Sequence, residues 1–179
     1  MKYFMIPHDK ALSNVIAPEK LDSSLYRDKI SKKEFDAVQS MVVTYFDNSQ
    51  ELEKPDVLYT PAFLVSDKLK KLLRAFDPKM KCKGIRCYPH EVEDPEALLY
   101  WWPWIPRVQC LSEQTTRYPT GLVKHLVVAE NRLQRRPILM VDGTLETIVL
   151  VSLELAEAML RRGLWGMEYI PVDMEEDRR

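Results

Sequence analysis

Val149-Leu-Val-Ser-Leu-Glu-Leu-Ala-Glu-Ala-Met-Leu-Arg-Arg-Gly-Leu-Trp-Gly-Met-Glu-Tyr-Ile-Pro171 decides the fold, because this one stretch holds a strand, a helix and a second strand. Ser152 follows an apolar run and precedes a helical pattern, where its hydroxyl can accept from an N–H that the first helical turn leaves unsatisfied. Leu155, Ala156, Met159 and Leu160 recur at helical spacing and predict one apolar stripe. Glu157 and Arg161 stand four apart on the wet face, in the favourable order. Gly163 ends the helix at the position where a residue without Cβ is favoured.

An earlier stretch repeats this one. Phe63-Leu-Val-Ser66 matches Val149-Leu-Val-Ser152, and Leu69 and Leu72 match Leu155 and Ala158. Leu69, Leu72, Leu73 and Phe76 predict the stripe, and Asp67 in the first turn complements the helix dipole. Gly84-Ile-Arg-Cys-Tyr-Pro89 is aligned with Gly166-Met-Glu-Tyr-Ile-Pro171, which gives the first copy four extra residues at Pro78 to Lys81. Neither unit alone buries enough surface to stand, so the two are expected to share a core.

Outward from these units the chain reads mostly as strands. Met1 to Ile6 predicts a strand stopped by Pro7, and residues 12–27 predict a loop. Ser31-Lys-Lys-Glu34 has the form of a capping box and starts a short helix, after which Met41 to Phe46 is β-branched and aromatic. Leu98 to Ile105 reads as a strand at an edge or with a bulge, because Pro103 cannot donate to a ladder. Leu122 to Val128 predicts another strand. Pro137 to Val141 and Leu145 to Val151 predict a hairpin joined by Asp142-Gly143. The expected class is α+β, with a mostly antiparallel or mixed sheet and two related strand–helix–strand units in a single domain spanning residues 1–179. Within it, residues 1–56 form an N-terminal strand and variable region and 57–92 the first unit. Residues 93–136 form aromatic-rich linking strands, and 137–174 the hairpin with the second unit.

Composition narrows the function classes. The 179 residues are 46% apolar and 30% charged with a net charge of −1, so nothing in the bulk numbers asks for nucleic acid. Three cysteines without a signal peptide predict reduced thiols and a cytoplasmic protein. No apolar run approaches the ~20 residues that span a bilayer, so no membrane partner is expected.

Cys82, Cys87 and His90 offer soft ligands, but their spacing matches no standard zinc site. The alignment of the two copies also sets plain strand residues, Tyr169 and Val172, opposite Cys87 and His90, so neither metal nor cofactor is expected. There is no Gly-x-Ser-x-Gly, His-Glu-x-x-His, phosphate loop or dinucleotide fingerprint. His8-Asp9 and His90-Glu91 are adjacent pairs whose side chains point apart in a strand, so they form no oriented dyad. The first copy carries a basic run, including Lys70, Lys71, Arg74 and Arg86, that reads as a solvated helix face or as a recognition patch. Tyr100, Trp101, Trp102 and Trp104 make the densest aromatic segment, with Trp102 and Trp104 on one strand face and Trp101 on the other. Lys70, Lys71, Arg74 and these four aromatics are therefore the candidate partner-binding residues, with aromatic anchors and a cationic rim.

The approach Asp56-Val-Leu-Tyr-Thr-Pro-Ala-Phe-Leu-Val-Ser66, the strand-to-helix junction at Val151 to Leu155, and the ending from Gly163 to Pro171 together resemble a bacterial family. That family was first defined as a domain of unknown function and was later grouped with the immunity proteins of polymorphic toxin systems, the type named after a myxobacterial representative. The likeness covers about Asp56 to Pro171 and, more loosely, Met1 to Ile6. It implies a protein without catalytic or metal-binding residues that binds and neutralises a cognate toxin inside the producing cell. The contrasting expectation is a small hydrolase or nuclease-like enzyme that gathers a histidine and carboxylates from distant segments.

Overall fold

The computed structural model describes residues 2–175, which form an α+β protein. The elements run β1 (Tyr3–Met5), α1 (Lys32–Ala37), β2 (Met41–Phe46), β3 (Val57–Leu58), β4 (Leu64–Ser66), α2 (Asp67–Phe76), β5 (Cys82–Pro89) and β6 (Leu98–Pro103). They continue with β7 (Arg107–Val108), β8 (Thr116–Arg117), β9 (Val123–His125), β10 (Val127–Ala129), a 3-10 turn (Glu130–Arg132), β11 (Ile138–Val141), β12 (Val149–Ser152), α3 (Leu153–Arg161), β13 (Ile170–Pro171) and β14 (Asp173–Glu175). Two compact units result. A discontinuous unit holds residues 2–7, 105–162 and 167–175, and an inserted unit holds 8–104 and 163–166.

The inserted unit is built on a five-stranded sheet of order β2-β5-β6-β4-β3, antiparallel except for the parallel pair β2 and β5. One face of it is the core. Phe35, Leu64, Ile85, Cys87, Tyr100 and Trp102 are buried there, and Trp102 packs against Tyr26 and Phe35 at ring distances of 5.1 and 4.8 Å. Phe35 is delivered by α1, whose capping box forms as its sequence predicts: Glu34 N–H donates to Ser31 Oγ at 3.2 Å, and Ser31 N–H to Glu34 Oε2 at 2.8 Å. Strand β6 lies in the middle of this sheet and not at an edge. Pro103 is tolerated because Trp104 N–H reaches Lys81 O on the β5 side, which turns the proline nitrogen toward β4, and β4 pairs only as far as Trp101.

The discontinuous unit carries a second five-stranded sheet, of order β13-β1-β12-β11-β7. Tyr3, Val128, Leu133, Leu139 and Leu150 lie in its core. Strands β11 and β12 are antiparallel, but the connection is longer than a two-residue turn. Val141 N–H pairs with Ile148 O, Thr144 Oγ donates to Glu146 O inside the loop, and Leu145 is 63% exposed instead of lying in a strand. In α3, Leu155, Ala156 and Met159 are buried, whereas Leu160 falls off the stripe and is exposed.

The two sheets share one topological plan. Ser66 caps α2 and Ser152 caps α3, each through its hydroxyl oxygen. Ser66 lies opposite Tyr100 on β6, and Ser152 opposite Tyr3 on β1. Tyr100 Oη donates to Pro55 O at 2.9 Å, and Tyr3 Oη to Arg136 O at 2.7 Å. Ser66 N–H donates to Asp56 O, and Ser152 N–H to Pro137 O. Thus β3, β4, α2, β6 and β5 correspond to β11, β12, α3, β1 and β13. The register also corrects the sequence alignment. Gly84 faces Trp101 and Pro171 faces Phe4, and both of those aromatics face the valine before the capping serine. Gly84 therefore corresponds to Pro171, not to Gly166, and the first copy is not the longer one. The pairing of Cys87 with Tyr169 and of His90 with Val172 falls with it.

Candidate binding face

Strand β2 carries apolar side chains on both sides, with Thr44 the polar exception on the core side, where its hydroxyl donates to Glu19 O. Val42 and Phe46 face the core, while Met41, Val43 and Tyr45 point the other way, with Val43 54% and Tyr45 48% exposed. Since a half-buried strand normally alternates apolar with polar residues, an apolar outer row is a feature to be explained. Its neighbours on β5 extend it. Val43 lies beside Arg86 and Tyr45 beside Tyr88, with ring centroids 6.3 Å apart, and Tyr45 stacks on His90 at 5.4 Å. Gly84 keeps the row low: a Cβ there would meet the end of the Met41 side chain at 2.3 Å.

Helix α2 borders this face on one side. Its apolar stripe, Leu69, Leu72 and Leu73, is buried, and Asp67, Lys70, Lys71 and Arg74 form the neighbouring stripe at spacings of three and four. Lys70 Nζ sits 3.4 Å from the centre of the Trp101 ring, and Trp101 Nε1 donates to Asp67 Oδ1 at 3.0 Å. This cation over an aromatic face is an attractive contact that also hides most of the lysine, whose side chain is 14% exposed. Lys71 Nζ pairs with Asp67 at 2.7 Å but remains 75% exposed. The Lys71 ammonium, followed by the Trp101 indole and Lys70, holds the Asp67 carboxyl below the usual carboxylate range. Burial raises the Cys82 thiol pKa, while Arg74 and Lys70 pull against it. The result is an open sheet face of Val43, Tyr45, Arg86 and Tyr88, rimmed by Lys71 and Arg74.

The residues singled out in the sequence divide across the sheet. Lys70, Lys71, Arg74 and Trp101 come together on the open side. Tyr100 and Trp102 do not: at 4% and 2% exposure they are core, because their strand parity turns them toward Phe35 and Tyr26. Trp104 is half-buried against Phe35 at 5.3 Å. The basic run divides as well. Lys81 pairs with Asp36 and Lys83 donates to Val38 O, so both serve α1. Val43, Tyr45 and Tyr88 were missed, although the apolar and aromatic residues on both parities of Met41-Val-Val-Thr-Tyr-Phe46 carried the signal for the first two.

The histidines find partners far along the chain and not beside themselves. His90 Nε2 lies 2.9 Å from Glu19 Oε2, and His125 Nε2 lies 2.7 Å from Asp173 Oδ2. His8 packs edge-on to Tyr59 at 5.6 Å. Glu19 also lines a cavity of about 290 Å³ with Asp47 and Ser49. Burial pushes the Cys87 thiol up to about 12, which leaves it a neutral core residue. Among the described residues no three metal-ligating side chains gather, and no helix is long and apolar enough to cross a membrane. No protein-family model matches this chain, and no curated protein does.

Proposed function

We propose that this is a binding protein without a reaction of its own, an immunity protein that covers a cognate toxin with the open face of the inserted unit. The observation that carries the reading is the outward row of Val43 and Tyr45, both about half exposed, beside Arg86, Tyr88 and the cationic stripe of α2. Tyrosine and arginine are enriched where interfaces concentrate their energy, and a cationic rim speeds encounter with an acidic partner. The resemblance of the Asp56 to Pro171 segment to the toxin-immunity family supplies the biological role.

The test is co-expression with the product of the neighbouring gene, read as protection of the cell and as co-purification. Tyr45→Ala should cost upwards of ~2 kcal/mol of binding through a faster off-rate, and Lys71→Glu with Arg74→Glu should slow association and weaken its salt dependence. Protection that survives both sets unchanged removes this face. A second reading has one observation in its favour: His90 and Glu19 meet from distant segments beside the Asp47 and Ser49 cavity, as a small hydrolase would require. Turnover of a small ester or phosphodiester that is lost in His90→Ala would replace the binding reading with this one.

A further inference from the structure

The discontinuous unit holds a cavity of about 380 Å³ that belongs neither to the open face nor to the histidine pairs. Guanidinium and amide groups make up most of its lining, from Arg107, Arg132, Arg136, Gln109, Gln134 and Asn131, beside the apolar Pro106 and Val108. Two separate segments supply them. Arg107 comes from β7, the outer strand that pairs in parallel with β11. Arg132 closes the 3-10 turn, whose following residue Leu133 is buried as an anchor. Gln134 and Arg135 then adopt left-handed backbone angles, φ 54° and 52°, which bring Arg136 back to the same cavity.

What orients Arg132 and Arg136 does not neutralise them. Arg132 Nη1 donates to Leu111 O at 3.2 Å, and Arg136 Nε donates to the Gln134 side-chain oxygen at 3.1 Å. Both acceptors are neutral, so each guanidinium is held in place with its charge intact and most of its five donors left over. Among the described residues, Arg107 alone of the three faces a carboxylate, Asp142 Oδ1, at a loose 3.9 Å, and Gln109 reaches the other oxygen of Asp142 at 3.5 Å. Arg132 and Arg136, with Arg107 only loosely paired, gather positive charge around one cavity, and an anion bound between them relieves their mutual repulsion.

We propose that this cavity is a binding site for the phosphoryl group of a small molecule. One guanidinium fork already saturates a planar carboxylate. Guanidinium groups arriving from two chain segments, with side-chain amides between them, match a tetrahedral oxyanion with three terminal oxygens. The volume lies near the lower end of the ~300–1,000 Å³ range of ligand pockets, which fits a compact ligand and not an extended polymer.

The experiment is calorimetric titration of the intact chain with inorganic pyrophosphate at about 0.15 M salt, where screening beyond ~8 Å suppresses diffuse attraction. Citrate is the carboxylate comparator and a short single-stranded oligonucleotide the polymer comparator. The expected result is saturable one-to-one binding of pyrophosphate, with citrate and the oligonucleotide each at least about tenfold weaker. Arg132→Gln and Arg136→Gln should each weaken pyrophosphate by about tenfold or more, the loss of one charge-assisted contact. Arg136→Lys should retain only part of the affinity, because it keeps the charge without the fork. Absence of saturable binding to the unaltered protein at millimolar pyrophosphate overturns the proposal without reference to any variant. Equal binding of citrate or of the oligonucleotide, or undiminished binding in both glutamine variants, overturns it as well.

Discussion

Two serines do the same capping job in different surroundings, and the difference can be measured. Ser66 Oγ accepts from Leu69 N–H and also donates to Asp56 Oδ1 at 2.5 Å, while the other Asp56 oxygen accepts from Trp165 N–H at 3.0 Å. Asp56 is 6% exposed, so its carboxylate depends on these donors. Ser152→Ala should cost about 0.5–2 kcal/mol as a lost cap. Ser66→Ala should cost roughly 1–3 kcal/mol more, because it also deprives a buried acceptor; equal urea midpoints for the two variants would show that Asp56 does not lean on Ser66. The paired tyrosines report at the other end of the pH scale. Burial, then the charges of Glu154 and Cys110, push Tyr3 from 10.0 up to about 12. A folded-state pKa raised above the unfolded one means that this contribution is complete below 10.0 and is lost as pH climbs toward about 12. Tyr3→Phe loses the phenol bond to Arg136 O, about 0.5–1.5 kcal/mol at neutral pH. The gap between wild type and Tyr3→Phe should therefore narrow between pH 10.0 and about 12, and a gap that stays constant across that window would contradict the assignment.

At the scale of elements, what the sequence made legible follows from how local each signal is. The caps at Ser31, Ser66 and Ser152 and the glycine that ends α3 depend on near neighbours, and each forms where its spacing places it. Strand parity was legible too, since Trp101 and Trp102 do face opposite ways. Which parity is covered was not, because covering depends on where α1 and α2 cross the sheet, a long-range outcome. The alignment of the two copies fails at its far end for a related reason: a glycine does not by itself mark an equivalent position, and Gly84 and Gly166 meet different demands. Gly84 has ordinary strand backbone, and an added Cβ would press on the flexible end of Met41. Gly166 has φ +102°, and an added Cβ would strike the Pro55 ring at 2.3 Å. Gly84→Ala should thus cost little, under ~1 kcal/mol, as methionine repacks. Gly166→Ala should cost about 1–3 kcal/mol through strain that a proline cannot relieve. Thermal midpoints in the reverse order would mean that Met41 is locked in place and Pro55 is not.

At the scale of the molecule, the decisive feature is how the chain is threaded. In the inserted unit the strand between β4 and β5 is β6, which follows both in sequence. In the discontinuous unit the strand between β12 and β13 is β1, which precedes both by more than the whole inserted unit. The two copies therefore share a plan but not a chain order, and a comparison that runs along the sequence cannot register the central strand at all. A physical consequence follows for β1. Its backbone pairs on both sides: Tyr3, Phe4 and Met5 oppose Ser152, Val151 and Leu150, while Phe4 and Met5 also oppose Pro171 and Ile170. Tyr3 and Ile6 are each 1% exposed. Removing residues 2–7 would leave the backbone of β12 with one partner instead of two and detach β13 from the sheet. The amides of β12 should then lose most of their hydrogen-exchange protection, since local opening no longer has to break a ladder on both sides. The amides of β5, flanked by β2 and β6 in the inserted unit, are the internal reference. Slow exchange throughout β12 in the truncated chain would show that β11 alone sustains it, and β1 would then be an addition to that sheet and not its counterpart to β6.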